Sequence, residues 1–235
     1  MNKYVWRGLI VNNKELVYEE TRSKSVSFRY LYFVFKRTFD VFVGFIGILF
    51  LIPLALFVKI ITICSGDFHS IFFKQKRLGK YGQFIYIYKF RTMVPNAEDV
   101  LKRWLEENED IREEYYQTRK LENDPRITKI GKLLRVTSLD EFPQFINIFK
   151  GDMSLIGPRP IVPDEIENYN KAEAKRFLSL RPGLTGYWAV NGRSCTTYKK
   201  RKQLELYYVG HCSIWLDIKI IFSTIVKVIK RDGAV

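Results

Sequence analysis

Two adjacent carboxylates, Asp140 and Glu141, stand near the middle of the chain, and their types suit the chemistry of phosphoryl groups. An ionised aspartate is a competent nucleophile toward phosphorus and forms an acyl phosphate. A second carboxylate beside it is a natural ligand for Mg²⁺, which binds carboxylate oxygens and substrate phosphates together. Asp140 is therefore a candidate nucleophile, and Asp140 with Glu141 is a candidate Mg²⁺ site.

A structural interpretation of the same residues stays open. Ser138 and Glu141 have the spacing of a capping box, in which the glutamate closes the first turn of a helix. Pro143 would then stand where an N–H is needed, whereas a helix that starts at Asp140 has this proline in its tolerant first turn. In both cases the carboxylates lie at the positive end of a helix dipole, where anions are favoured.

Phosphoryl transfer also needs cations that neutralise the developing charge. Four basic side chains are candidates for phosphate binding: Lys89, Arg91, Arg135 and Arg159. Pro158 and Pro160 flank the last of these and restrict its backbone, so they are included in the predicted substrate site. Strand alternation puts Lys89 and Arg91 on one face, where they either grip a phosphate or form a solvated edge.

The composition predicts a partner that carries negative charge. The 235 residues include 39 Lys and Arg against 25 Asp and Glu, a net charge of +14, which points to nucleic acid, anionic lipid or phosphorylated substrates. A merely soluble basic surface has the same composition. Three distant cysteines and two histidines predict neither a zinc site nor a disulfide framework.

Residues 41–58 form a run of eighteen residues without a charge, rich in Phe, Ile, Leu and Val. As a helix the run spans about 27 Å, close to the roughly 30 Å of bilayer hydrocarbon. A fully buried core helix is the alternative. Pro53 predicts a kink or break in the run. Lysine and arginine flank both ends, which favours a helix that returns to the same face, although a kinked single span has the same charges.

The other periodic segments predict an α+β fold that is predominantly helical. Strands at 71–75 and 84–93 form a hairpin, 98–122 is a charged helix or helical hairpin, and 164–179 is an amphipathic helix. Residues 214–229 form a basic amphipathic helix suited to an anionic membrane surface, with packing on the core as the alternative. The predicted division is a tail at 1–29, a membrane hairpin at 30–64 and a catalytic domain at 65–235.

Six short motifs occur between about residue 30 and the C-terminus. They are KRTFD at 36–40, KFRTM at 89–93, NDPR at 123–126, SLDEFPQ at 138–144, KGDMSLIGPRP at 150–160 and RPGLTGYW at 181–188. Together, and in this order, they resemble the motifs of the bacterial sugar transferase family, the monotopic phosphoglycosyl transferases.

The resemblance implies transfer of a sugar 1-phosphate from a UDP-sugar to undecaprenyl phosphate, with release of UMP, at the cytoplasmic face of the bacterial inner membrane. Such transfer initiates exopolysaccharide, capsule or O-antigen synthesis. Asp140 would form a covalent phosphosugar intermediate, Glu141 would bind Mg²⁺, and Arg159 and Lys89 would contact phosphates. The apolar run would be a re-entrant helix hairpin, which makes the protein monotopic.

Some assignments stay open in the sequence. Ala189, Asn191 and Glu205 depart from the family's usual pattern, which puts the identity of the sugar in doubt. The expected partners are the UDP-sugar, undecaprenyl phosphate and anionic lipid, with no nucleic acid and with a homo-oligomer left open. Two other functions compete: a membrane-anchored basic scaffold that binds polyanions without catalysis, and a Mg²⁺-dependent phosphohydrolase that uses water as the acceptor.

Overall fold

The computed structural model of the chain describes residues 25–118, 121, 124–192 and 196–230, and these are mostly helical. The α-helices are α1 (Ser25–Cys64), α2 (Ala97–Glu107), α3 (Glu109–Thr118), α4 (Lys129–Val136), α5 (Gln144–Lys150), α6 (Lys171–Phe177), α7 (Tyr187–Asn191), α8 (Tyr198–His211) and α9 (Ile214–Lys230). The strands are β1 (Phe72–Leu78), β2 (Phe84–Phe90), β3 (Ser154–Ile156) and β4 (Gly183–Thr185). The predicted α+β class with a small hairpin is confirmed. Of the predicted tail at 1–29, residues 1–24 lie outside the described residues and residues 25–29 belong to α1.

The hairpin of β1 and β2 is antiparallel, and its register pairs Phe72 with Phe90 and Leu78 with Phe84. The first strand runs three residues beyond its predicted end. Tyr81 has a φ of 59° and Gly82 a φ of 76°, so the turn depends on two consecutive left-handed residues. β3 and β4 form a separate parallel pair.

Helix α1 is long and apolar enough to cross a membrane by length and composition. It continues as a helix through Pro53, so the predicted break is absent; a bend there and the re-entrant path stay predictions. One side of α1 packs on the domain. Leu51 and Val58 share a buried cluster with Ile71, Phe90 and Leu134.

Polar contacts attach the first half of α1 to the domain. Arg37 donates to the carbonyls of Ile148 and Phe149 at 2.7 and 2.8 Å, which satisfies the free end of α5. The buried Asp40 accepts the Leu155 N–H of β3 at 2.8 Å. These contacts fix α1 directly against the strand that leads to Arg159.

A second polar cluster joins α1 to the C-terminal helices. Asp217 of α9 is buried and lies 2.7 Å from the Lys36 ammonium. Its two oxygens also accept the hydroxyls of Tyr32 and Tyr208 at 2.9 and 2.7 Å. A buried carboxylate needs such partners because desolvation penalises an unpaired charge by several kcal/mol.

Two predicted helices differ in detail from the structure. The predicted helix at 164–179 is wrong as a single element, since a 3₁₀ helix, Pro163–Asn168, precedes α6. The reason is a new cap: the Asn170 side chain accepts the Glu173 N–H, and the Glu173 carboxylate accepts the Asn170 N–H. The segment at 98–122 forms the pair α2 and α3, which is the helical hairpin that the sequence allowed.

The predicted C-terminal amphipathic helix is confirmed as α9. Asp217 and Ile220 are buried against the domain, so part of the helix packs on the core. Leu216 and Ile221 also pack partly against the core. The exposed apolar side chains of the helix are Ile214, Trp215, Phe222, Ile225, Val226, Val228 and Ile229.

Close packing of α1 on α5 predicts that Gly44 tolerates no side chain. A Cβ there would lie 2.8 Å from the backbone nitrogen of Phe149, and a backbone atom cannot rotate away. Gly44→Leu should lower the free energy of unfolding by about 1–3 kcal/mol, which corresponds to a melting temperature about 2–10 °C lower. Thermal unfolding in detergent measures this change.

The matched control is Phe42→Leu, which introduces the same residue at an exposed position of α1. It should leave the melting temperature within about 2 °C of the parent. Equal stability of the Gly44→Leu protein would contradict the docking of α1 on α5.

Candidate active site

The two carboxylates lie on a single 3₁₀ turn, Leu139–Glu141, between α4 and α5. Ser138 has a left-handed backbone with a φ of 56° and makes no side-chain cap, so the capping-box interpretation is wrong. The helix does not begin at Asp140 either. It begins at Gln144 with Pro143 at the N-cap, where a missing N–H costs nothing. The left-handed backbone of Ser138 changes the direction of the chain after α4, so that the two carboxylates lie toward β2.

Asp140 lies among groups of both signs. Burial raises the pKa of the Asp140 carboxyl and the neighbouring Glu141 raises it further, whereas Lys89 and Arg135 act in the opposite direction. The Lys89 ammonium lies 2.9 Å from Oε1 of Glu141. A poorly hydrated carboxylate held beside two cations is well placed to attack an electron-poor phosphorus.

A cleft of about 930 Å³ surrounds these groups, a size typical of small-molecule sites. The structure brings together six of the eight predicted site residues in this cleft. They are Asp140, Glu141, Lys89, Arg91, Arg135 and Arg159. Segment 89–99 forms one wall, and Arg159, Trp188 and Arg201 line another part.

The cations of the cleft differ in how far their charge is compensated. Arg91 lies 2.7 Å from an oxygen of Asp67, and Arg126 binds both oxygens of Asp124. These two arginines are therefore largely neutralised. Arg135 has no carboxylate within 4 Å among residues 25–118, 121, 124–192 and 196–230, so its charge is available to an anion.

Arg159 is held through both its backbone and its guanidinium. Its backbone N–H donates to Oε1 of Glu205 at 3.1 Å. Its guanidinium lies 5.4 Å from the ring centre of Trp188, and Arg201 lies 5.0 Å from the same ring. Burial lowers the pKa of Arg159 and the charge of Arg201 lowers it further. Two arginines beside one indole create a region that favours a bound anion.

The two prolines act through the backbone. Pro158 does not line the cleft; its carbonyl accepts the Gly183 N–H at 2.8 Å and fixes the segment to β4. Pro160 lines a small side pocket behind Arg159. Both prolines can therefore restrict the backbone of Arg159, as predicted, without contacting a substrate.

Sequence reasoning missed three residues that line the cleft or its side pocket: Arg77, Arg201 and Glu205. A signal existed for Arg77, because alternation along β1 puts it on the same face of the hairpin as Lys89. No comparable signal pointed to Arg201, which reaches the site from α8. Glu205 was noted only as a departure from a family pattern.

The carboxylate pair fits a Mg²⁺ ion by its chemistry. Within the described part of the chain, no three His, Cys, Asp or Glu side chains converge on one point. Mg²⁺ does not require such a cage, because it commonly takes one or two carboxylates and completes its shell with water and substrate phosphates. Asp140 and Glu141 supply such a pair, and their mutual repulsion, visible in the raised pKa of Asp140, is relieved by a cation.

Known proteins resemble this chain over most of its length. A family model described as bacterial sugar transferase matches residues 31–231. The exopolysaccharide production protein ExoY of Sinorhizobium fredii is 43% identical over 199 residues, which cover 85% of this chain and 87% of that protein. The undecaprenyl-phosphate galactose phosphotransferase of Salmonella typhimurium is 41% identical, and the UDP-galactose-lipid carrier transferase of Erwinia amylovora is 42% identical.

The last two relatives are longer, because the match covers 85% of this chain but only 41% of each of them. The matched region includes α1 from residue 31, the carboxylate pair and α9. The resemblance expected from the motifs is thereby confirmed, and with it the expectation of a sugar transferase. This chain belongs to the bacterial sugar transferase family.

Proposed function

We propose that the protein transfers a sugar 1-phosphate from a UDP-sugar to undecaprenyl phosphate at the cytoplasmic face of the bacterial inner membrane. This is the first step of exopolysaccharide, capsule or O-antigen synthesis. The observation that carries the proposal is the position of Asp140 in a cationic cleft of a domain packed on an apolar helix. The names of the Salmonella and Erwinia relatives, a phosphotransferase and a lipid carrier transferase, support the two substrates.

The reaction has two displacement steps. In the first, an oxygen of the Asp140 carboxylate attacks the β-phosphorus of the UDP-sugar, and UMP leaves with the electron pair of the bridging oxygen. In the second, a phosphate oxygen of undecaprenyl phosphate attacks the same phosphorus and releases the carboxylate. The product is an undecaprenyl diphosphate sugar. The Asp140 carboxylate is the nucleophile of the first step and the leaving group of the second, so the two phosphorylated substrates need never be bound together.

The surrounding cations stabilise the charge in both steps. Arg135 and Arg159 line the cleft with Asp140, and neither forms an ion pair with a carboxylate of the described residues. Lys89 is shared between Glu141 and the incoming phosphate. A Mg²⁺ ion held by Asp140 and Glu141 would neutralise the diphosphate oxygens. Arg91 serves the site mainly by fixing segment 67–70 through its contacts with Asp67 and Ser70.

The path of α1 supports a protein that stays on one side of the bilayer. Contacts with the domain extend from Tyr32 to Val58, a distance of about 39 Å along a helix. A straight perpendicular span would draw the packed domain, with its charged groups, into roughly 30 Å of hydrocarbon. A re-entrant or in-plane path avoids this penalty. The exposed apolar side chains of α1 and α9 would then contact lipid together.

The activity is tested by UMP release from a panel of UDP-sugars, with and without undecaprenyl phosphate. We expect release that becomes catalytic only with the acceptor, and Asp140→Asn should lower the rate by roughly 10³-fold or more because the nucleophile is lost. Asp164→Asn, at an exposed aspartate away from the cleft, is the control. Near-normal turnover of Asp140→Asn would exclude its role. Sustained release without acceptor would instead identify a phosphohydrolase.

The membrane path is tested by thiol labelling from one side. Cys64 is exposed at the end of α1, and Tyr30→Cys adds a thiol near its start, with Cys195 and Cys212 replaced by serine. In inside-out vesicles, where the cytoplasmic face is outward, an impermeant maleimide should label both positions at comparable rates. Labelling of only one position before detergent is added would show that the helix crosses the bilayer.

A further inference from the structure

A small pocket of about 50 Å³ opens from the side of the cleft. Four residues belong to both cavities and mark the opening: Lys89, Glu141, Arg159 and Trp188. Deeper in, the lining includes Arg77 of β1, Thr185 of β4 and Glu205 of α8. The pocket therefore joins three separate parts of the chain immediately beside the reactive carboxylates.

Backbone atoms form one wall of the pocket, because glycines bring two segments, at 157 and at 183–186, close together. A Cβ on Gly183 would lie 2.1 Å from the nitrogen of Gly157, and one on Gly186 would lie 2.2 Å from its carbonyl oxygen. No side chain fits at these positions without displacing the backbone. The wall is thus rigid, and the shape of the pocket depends on the pairing of β3 with β4.

Two residues of the pocket carry buried polar atoms without a partner. Nη1 of Arg77 and Oε2 of Glu205 have no hydrogen bond to any residue that the structure describes. Glu205 is 1% exposed, and its other oxygen is occupied by the Arg159 N–H. An unpaired buried donor or acceptor costs about 1–3 kcal/mol. The pocket lining thus contains one unpaired donor and one unpaired acceptor. This pair indicates a ligand that can both accept and donate hydrogen bonds.

The charges favour a neutral ligand over a second phosphate. A phosphate in this pocket would share it with the carboxyl of Glu205, and burial raises the pKa of that carboxyl to about 7. Burial likewise lowers the pKa of Arg77. A sugar hydroxyl suits either residue, since its oxygen accepts from a guanidinium and its proton goes to a carboxyl oxygen. A volume of about 50 Å³ admits a hydroxyl or hydroxymethyl group but not a whole hexose.

We propose that this side pocket binds one hydroxyl or hydroxymethyl group of the sugar and thereby selects the sugar that is transferred, with Arg77 and Glu205 as the specificity-determining residues. The inference rests on the proposed function, because it needs the sugar phosphate at Asp140. The opening beside Glu141 and Lys89 sets the reacting phosphate next to the pocket. The nucleotide then extends the other way, along segment 93–99 and Arg126.

The test pairs changes in the protein with changes in the donor. The best donor among UDP-glucose, UDP-galactose and their N-acetylamino forms is compared with its 3-, 4- and 6-deoxy analogues, using full-length protein in nanodiscs. For one of the three positions the wild-type kcat/KM should fall about 10²-fold, because the buried groups are left unpaired. In Arg77→Met the kcat/KM of that deoxy analogue should lie within about threefold of the value for the parent sugar. Such a loss of discrimination indicates a direct interaction between Arg77 and the deleted hydroxyl.

Glu205→Gln is the second variant, because it keeps an oxygen for the Arg159 N–H and has the same shape. It should reduce the penalty at the same sugar position. Arg103→Met and Glu167→Gln, which make the same changes at exposed residues, should leave every ratio unchanged. Ratios between donors are independent of the fraction of folded protein, so partial misfolding of a variant does not obscure the result.

Two outcomes would overturn the inference. If all three deoxy donors react within about threefold of the parent sugar, the pocket holds an ordered water only. If Arg77→Met and Glu205→Gln lower kcat/KM equally for the parent and every analogue, the two residues are structural. Failure of the proposed function has a different signature: the wild-type protein would release UMP from none of the donors.

Discussion

The structure depends on the attachment of an apolar helix to a charged domain through buried polar contacts. Asp217 binds Lys36 of α1 at 2.7 Å, and Asp40 of α1 accepts the Leu155 N–H of β3. Loss of one partner would leave an uncompensated buried charge, at a cost of about 3–5 kcal/mol. Because β3 leads directly to Arg159, the apolar helix and the site form one rigid arrangement. The position of α1 relative to the reactive carboxylates is thereby fixed.

Within that arrangement the site combines opposing charges in a poorly solvated cleft. Burial and Glu141 raise the pKa of Asp140, while Lys89 and Arg135 lower it. A nucleophile for phosphorus benefits from this balance, since weak hydration leaves the carboxylate reactive and the cations keep it ionised. In the proposed reaction the same cations would bind the phosphates of two successive substrates. Such a cleft suits the transfer of one phosphoryl group from a diphosphate donor to a phosphate acceptor.

Local patterns in the sequence were sufficient for the β1–β2 hairpin and for α9, but not for the β3–β4 pair or for the separation of the 3₁₀ helix from α6. Alternation predicted the hairpin and the direction of Lys89, and helical periodicity predicted α9. The left-handed backbone of Ser138 was not predictable. Ser138 and Glu141 have the spacing of a capping box, although no capping contact is formed at Ser138. The partner of Arg91 was not predictable either, since Asp67 is far away along the chain and meets it only after folding.

The central claim is that Asp140 becomes covalently linked to the sugar phosphate, and peptide mass spectrometry tests it most directly. The protein is incubated with its UDP-sugar alone, quenched in acid and digested. The account predicts that the peptide containing Asp140 gains the mass of one sugar phosphate, and that a chase with undecaprenyl phosphate removes it. An unmodified peptide under conditions where complete turnover proceeds would contradict the account and indicate direct transfer between the two substrates.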